Sequence, residues 1–487
     1  MSVVVAYAAF MSTLVFSPLA AHDGIAPAKP GTEPFEQFRP VYHFLARDNW
    51  INDPCGPYYD EETDLYHLFY QYNPNSTVWG NATWGHAVSK DQVTWEDYPN
   101  ALRPFEDKWD HLGVFSGSAM GNAIDGKRTV FYTGVTALPI HWTKKYLFGE
   151  HVVYATTADN GKTWQKGSEP LIELPPKGLN VTGWRDPNVF HSKSLDTYFG
   201  FDATNGSNYL LVAGGIHDVG PRIFLYHAED YKNTTFSPYS ASWGFNFATT
   251  VYREIQDEDG EVHNVMRFAA EGDPNRYPMW ATGSFSGGGC GVEVDPEAGL
   301  FTPLMVGVSD RSDWYANSIY TDKDVPREVG ITIVRDIYDV DEHLVGKGDW
   351  IVSDSKDVSC ADGSTKQSKT IKTLGVKPLS DLQLLRNVDA LEQVASVSVN
   401  GSSQVLNSTG ASFELIAEVS DFERGSKVGF EVRRSSAGDE VTTIFYDDAE
   451  KKVTIDRSKS STAECAVFKD NGVKPISDSV WGYLYQI

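Results

Sequence analysis

The chain has 487 residues, with 41 Lys and Arg against 66 Asp and Glu, a formal charge of −25. So acidic a surface is repelled by phosphate backbones and anionic lipid, which excludes nucleic acid and membrane surfaces as expected partners. Hydrophobic residues at 41% and aromatics at 13% exclude global disorder, and the length favours two domains over one core. With 42 Gly and 24 Pro, the composition points to short strands and turns.

The chain opens on an apolar run, 3–16, followed by the small residues Ser17-Pro18-Leu19-Ala20-Ala21. We read 1–21 as a secretory signal, because the run is shorter than the ~20 residues of a spanning helix. Asn-x-Ser/Thr sequons at Asn75, Asn81, Asn180, Asn205, Asn233, Asn400 and Asn407 fit a glycosylated, extracellular protein. Apolar and polar residues then alternate over 65–72, 129–135, 152–157 and 262–268, between clusters of Asp, Asn and Gly. That is the pattern of strands and hairpins, and no long helical periodicity follows the signal. The segment Ser89-Lys90-Asp91-Gln92-Val93-Thr94-Trp95 resembles Ala158-Asp159-Asn160-Gly161-Lys162-Thr163-Trp164. A repeat of that spacing suits a propeller of four-stranded blades, with both tryptophans packed between blades.

Residues 353–372 are rich in Ser, Asp and Lys, and read as a surface linker between domains at 36–352 and 373–487. Beyond it, 391–399, 413–419, 427–433, 441–446 and 452–455 alternate again, as in a β-sandwich. The four cysteines, Cys55, Cys290, Cys360 and Cys465, are scattered. They form no zinc motif, and at most one bridge of undetermined connectivity is expected. No HExxH motif occurs, and Gly161-Lys162-Thr163 and Gly287-Gly288-Gly289 read as turns, so no metal or other cofactor is expected.

Three tripeptides place a carboxylate where a strand meets a turn: Asn52-Asp53-Pro54, Arg185-Asp186-Pro187 and Ala270-Glu271-Gly272. Each alone has an ordinary explanation as a turn or an ion pair. Far apart in sequence, however, they belong to different blades, whose innermost strands converge on one central channel. Two close carboxylates and a third suit glycosidic cleavage, one as nucleophile and one as proton donor. Like-charged neighbours would help to keep Glu271 protonated.

The same residues lie in motifs that resemble glycoside hydrolase family 32, the β-fructofuranosidases. They are Trp50-Ile51-Asn52-Asp53-Pro54-Cys55-Gly56-Pro57, Tyr66-His67-Leu68-Phe69-Tyr70-Gln71-Tyr72-Asn73-Pro74, Trp79-Gly80-Asn81-Ala82-Thr83-Trp84-Gly85-His86-Ala87, Phe115-Ser116-Gly117-Ser118 and Trp184-Arg185-Asp186-Pro187. Cys55 and Leu138-Pro139-Ile140-His141-Trp142 are similar to a fungal, sucrose-acting branch. The resemblance implies an all-β fold, a five-bladed β-propeller followed by a C-terminal β-sandwich. It implies a retaining enzyme acting on sucrose or other fructosides, with Asp53 as nucleophile, Glu271 as acid/base and Asp186 as transition-state stabiliser. Asn52, Gln71, Trp79, Ser116 and Arg185 match positions lining the fructose pocket. The chain departs from the family pattern in three places. The acid lies in Glu271-Gly272-Asp273 rather than Glu-Cys-Pro, a tryptophan-rich stretch is missing between Asp324 and Val325, and final sandwich strands are missing after Ile487. Both domains are therefore expected to be short of strands. Transfer of fructose to a sugar acceptor, as in a fructosyltransferase, is the alternative within the same chemistry. A non-catalytic carbohydrate-binding protein is the alternative outside it, disfavoured because all three carboxylates are present. A sialidase would need a Tyr nucleophile, for which no motif is found.

Overall fold

The computed structural model describes residues 29–36, 39, 44–141, 143–204, 206–228, 231, 235–242, 246–256, 262–271, 278–285, 301–308, 316, 318–320, 331–338, 352–359, 365–374, 380–391, 393, 398–399, 401, 403–406, 413–460, 462 and 472–475. Alternating sequence and turn chemistry build these into antiparallel sheets. The first contains β1 (Trp50–Asp60), β2 (Leu65–Asn73), β3 (Thr83–Ser89) and β4 (Trp95–Leu102) in that order. The second contains β5 (Gly113–Met120), β6 (Arg128–Val135), β7 (Glu150–Thr157) and β8 (Gln165–Lys166). The third contains β9 (Val181–Ser192), β10 (Ser207–Ile216), β11 (Gly220–Ala228) and β12 (Thr235–Ser242). The fourth contains β13 (Asn246–Gln256), β14 (Val262–Glu271), β15 (Pro278–Phe285) and β16 (Phe301–Val308). A fifth sheet joins β17 (Ile331–Tyr338), β18 (Val352–Ser359) and β19 (Thr365–Leu374) in the order β17-β19-β18. A last one runs β20 (Lys427–Val432), β21 (Thr442–Asp447), β22 (Lys452–Asp456) and β23 (Gly472–Pro475).

The period of two assigns each face of a central strand to a different neighbour. On β6, Val130 and Tyr132 enter a core with Cys55, Phe69 and Trp84 of the first sheet. Phe131, between them in sequence, enters a core with Trp184, Leu210 and Val212 of the third. On β10, Tyr209 and Leu211 turn the other way and pack with Tyr252, Met266 and Phe268 of the fourth. The sheets are thus glued face to face by apolar layers, and the first strands β1, β5, β9 and β13 lie successively against one another. The repeat seen in the sequence is one turn used twice. Asp91 Oδ1 accepts the N–H groups of Val93 and Thr94 between β3 and β4, and Asp159 Oδ1 accepts that of Thr163 between β7 and β8. Trp164 packs between sheets, edge-on to Phe69 at 5.5 Å. Trp95 instead meets Phe44, before β1, at 5.5 Å.

Three segments also depart from the sequence reading. The expected linker 353–372 is largely β18 and β19, which pair with each other, β19 pairing on its other side with β17. Its polar composition suits an edge strand such as β18, and backbone pairing leaves no trace in composition. Residues 413–419 form no strand, and Phe413 and Ile416 are exposed. Alternation makes a strand only where a neighbouring edge takes up its backbone groups. A short helix, Lys193–Phe199, went unread; Ser192 caps it by accepting the Leu195 N–H, and Gly200 ends it at φ 76°. The signal 1–21, the junction 324–325, residues 476–487, most of 391–399, Gly287 to Gly289, Cys290, Cys360, Cys465 and the sequons at Asn205, Asn233, Asn400 and Asn407 lie outside the described residues. Among the described residues, no helix is long and apolar enough to cross a membrane.

Candidate active site

Each first strand breaks its ladder at least once, β1 also between Cys55 and Tyr58 and β9 also between Gly183 and Val181, and four of these breaks matter here. The pairing of β1 with β2 shifts between Ile51 and Pro54, and that of β5 with β6 between Phe115 and Gly117. On β9 it skips from Arg185 to Asn188, and on β13 from Ala248 to Thr250. The residues released by these bulges are Asn52 and Asp53, Ser116, Asp186 and Pro187, and Thr249. A bulge frees a residue from the ladder and re-aims it, which is how a strand delivers a functional side chain. Two of the three predicted carboxylates, Asp53 and Asp186, and the predicted pocket residue Ser116 all stand at such bulges.

Side-chain hydrogen bonds join the bulges. Ser116 Oγ donates to Asp53 Oδ2 at 2.7 Å across the first two sheets. Asp186 sits in the left-handed region at φ 58°, a conformation that costs a non-glycine residue about 1–2 kcal/mol. Its N–H has left the ladder and donates to Thr133 Oγ1 on β6 at 2.8 Å. The fully buried Cys55 lies within the field of both carboxylates. Burial pushes its thiol up, and the charge of Asp53, then that of Asp186, raises it further. A thiol so disposed stays neutral, and its S–H points to the Asp53 carbonyl at 3.5 Å. The bulges of Asp53 and Asp186 are linked through β5 and β6, since Thr133 Oγ1 accepts the Asp186 N–H and points to the carbonyl of Ser116, which itself donates to Asp53.

The other predicted residues gather around it. Asn52 Oδ1 accepts the Trp50 indole N–H at 2.8 Å. Gln71 is buried and donates to the Val114 carbonyl at 3.0 Å, tying β2 to β5. Trp79 is 45% exposed and meets Phe115 edge to face at 5.9 Å, so an aromatic face stands open beside Ser116. Arg185 Nε donates to Glu150 Oε1 at 2.5 Å, and the Trp184 N–H donates to Glu150 Oε2 at 3.1 Å. Glu150 also lines a shallow recess under the 137–149 loop, with Ile140, His141, Lys145 and Thr182. Glu271 ends β14, its backbone opposite Asn246 at the start of β13. It is therefore on a second strand, where the sequence reading expected an innermost one. An extra strand, β13, precedes the apolar run that carries it. The side chain of Glu271 lies outside the described residues.

Sequence reasoning missed Thr133 and Glu150. Thr133 is a fully buried aliphatic hydroxyl in the run Phe131-Tyr132-Thr133-Gly134, and Glu150 is a buried carboxylate opening strand β7. A polar group in an otherwise apolar strand was the available signal.

Residues 43–356 match the family model for the glycosyl hydrolases family 32 N-terminal domain, and 381–478 match that for the family 32 C terminal. The chain belongs to glycosyl hydrolase family 32. An acid beta-fructofuranosidase of Solanum lycopersicum is 41% identical over 154 residues, 31% of this chain and 22% of that protein. A levanase of Bacillus subtilis is 28% identical over 447 residues, 87% of this chain and 59% of that protein. The matches thus span less than two thirds of these relatives' own lengths. Among solved structures, an Aspergillus kawachii beta-fructofuranosidase aligns with a TM-score of 0.64 at 23% identity, over 91% of this chain and 83% of that one. A fructosyltransferase from A. japonicus aligns with a TM-score of 0.64 at 21% identity, over 90% and 84%. The family 32 fold is a five-bladed propeller followed by a β-sandwich, and the sheets take their places as its blades and part of its sandwich.

Proposed function

We propose that this chain is a secreted, retaining β-fructofuranosidase that cleaves terminal β-D-fructofuranosides such as sucrose. The observation that carries this reading is the Ser116–Asp53 hydrogen bond at the bulges of the first two blades, with Asp186 tied through Thr133 to the same Ser116. A hydroxyl donating to Asp53 fixes the carboxylate for attack. In the reaction Asp53 attacks the anomeric carbon, the bond to the leaving oxygen breaks, and Glu271 supplies the proton that oxygen takes up. Asp186 faces the positive charge that develops on the sugar. Water, deprotonated by Glu271, then releases fructose from Asp53 with retention of configuration. Trp79 gives the sugar a flat apolar face, and Asn52, Gln71 and Arg185 supply polar groups around it. Transfer to a sugar hydroxyl in place of water is the second reading. It is favoured by likeness to the A. japonicus fructosyltransferase and to a 6(G)-fructosyltransferase of Asparagus officinalis, 35% identical over 207 residues.

Both readings share the first half-reaction. Turnover of sucrose quenched in acid should leave a fructosyl adduct on the peptide containing Asp53, and Asp53→Asn should abolish both adduct and activity. An active preparation that releases inverted fructose before mutarotation would overturn the reading. Concentrated sucrose then separates the two outcomes, free fructose marking hydrolysis and trisaccharide marking transfer.

A further inference from the structure

We propose that Thr133, on β6, is a positioning residue that holds the Asp186 and Ser116 bulges in register and thereby sets the two acids of the site; the proposal rests on the function proposed above. A bulge frees a residue for chemistry, but it also strips that residue's backbone of ladder partners. At Asp186 the orphan is an N–H, and the residue is twisted to φ 58° with Pro187 following it. A residue before proline is disfavoured outside the extended region, so this geometry needs an external hold. Thr133 supplies it: its Oγ1, fully buried, accepts the Asp186 N–H at 2.8 Å. The same hydroxyl hydrogen points to the Ser116 carbonyl at 3.4 Å, the weaker contact of the two. Ser116 in turn donates to Asp53.

The alternation of β6 explains why Thr133 can reach so far. It shares a strand face with Phe131, which packs into the core with the third sheet, while its register partner on β5 is Phe115, next to the second bulge. A single hydroxyl there touches the bulge of its own sheet and that of the next. Blade 2 brings none of the three predicted acids, yet it clamps those of blades 1 and 3, the Asp53 carboxylate through Ser116 and the Asp186 backbone amide through Thr133. Thr133 touches no reacting atom on this account. Its effect is to keep Asp186 aimed at the sugar, and misplacement by ~1 Å far from the chemistry can cost about 100-fold in rate.

Two nearly isosteric changes separate this role from packing. Thr133→Val keeps the shape and removes the hydroxyl, whereas Thr133→Ser keeps the hydroxyl and removes the methyl. A hydrogen-bonding role predicts a loss of about 10–100-fold in kcat on sucrose for Thr133→Val, with KM changed less, and about threefold or less for Thr133→Ser. A packing role predicts the reverse order and would overturn the proposal. If Thr133→Val does not fold, Thr133→Ala against Thr133→Ser isolates the hydroxyl with equal loss of the methyl. Hydrogen exchange gives a readout independent of turnover: the Asp186 amide should exchange at least tenfold faster in Thr133→Val and retain its protection in Thr133→Ser. Equal protection in all three proteins overturns the proposal. A wild-type protein that turns over no fructoside would refute the proposed function instead, and the exchange data would still decide the role of Thr133.

Discussion

Replacing Glu150 by Gln tests how the third blade is held. The carboxylate takes two donors, Arg185 Nε–H at 2.5 Å and the Trp184 N–H at 3.1 Å, and is itself only 1% exposed. Glutamine offers one carbonyl oxygen and one NH₂ group, so one donor keeps its acceptor and the other meets a second donor. The charge facing Arg185 is also removed, while the guanidinium, with a side chain 12% exposed, cannot follow into water. Breaking a buried ion pair from one side costs about 3–5 kcal/mol, and the partial exposure of Arg185 places this one near 3 kcal/mol. At about 2 °C per kcal/mol, the figure for large domains, Tm should fall by about 6 °C. Arg185 and Trp184 directly precede Asp186, so kcat/KM on sucrose should fall ~10–100-fold as well. Glu150→Asp keeps the charge but withdraws it by about 1.5 Å, one carbon–carbon bond, and should lie between. Thermal unfolding and initial rates on the three proteins are sufficient. A Gln variant within 1 °C and twofold of wild type would show that the pair carries neither stability nor aim, and would refute the reasoning.

Glu271→Gln should lower sucrose cleavage ~10²–10⁴-fold and spare a fructoside whose leaving group needs little protonation; equal losses on both substrates would remove it as the acid. A pH dependence follows from His67 and His86, which are buried and 2.9 Å apart on β2 and β3. Burial holds His67 at about 4, against 6.5 in the unfolded chain, and His86 is lowered by burial and by His67. Their folded forms therefore resist protonation: stability is full above about pH 6.5 and is lost as the pH falls towards 4. For His67 alone the loss is about 3 kcal/mol. Urea midpoints at pH 7 and pH 4.5 should differ accordingly, and His67→Gln should flatten the difference; an unchanged difference would count against this origin.

Much of this was legible in the sequence because it rests on local chemistry. The run 65–72 alternates and became part of β2, and Asp91 and Asp159 announced the same turn in two blades. Asp53 and Asp186 stood out because Asp-Pro interrupts a strand, and the structure puts both at bulges. What was not legible depends on pairing between distant segments. The Ser- and Lys-rich β18 and β19 are strands because they pair with each other and β19 pairs with β17, which composition cannot record. Residues 413–419 have the pattern of a strand and lack a partner edge among the described residues. Thr133 and Glu150 gave only weak signals, since their importance lies in an N–H and a guanidinium contributed from a strand some 35–53 positions away.

The bulges also account for the unequal standing of the three acids. A residue released from the ladder leaves backbone groups to be satisfied, so each acid at a bulge comes with a clamp from the neighbouring blade: Ser116 for the side chain of Asp53, Thr133 for the amide of Asp186. The equivalent bulge of the fourth blade releases Thr249 rather than an acid. Glu271 is positioned by another device, the antiparallel register that sets it opposite Asn246. Register is an all-or-none property, because a slip of one residue turns every side chain of a strand to the other face. The placement of Asp53 and Asp186 can thus be tuned by single hydroxyls, whereas that of Glu271 is fixed by the whole β13–β14 hairpin. Substitutions in the hairpin's ladder should therefore act on the proton transfer proposed for Glu271 while leaving the Ser116 clamp on Asp53 intact.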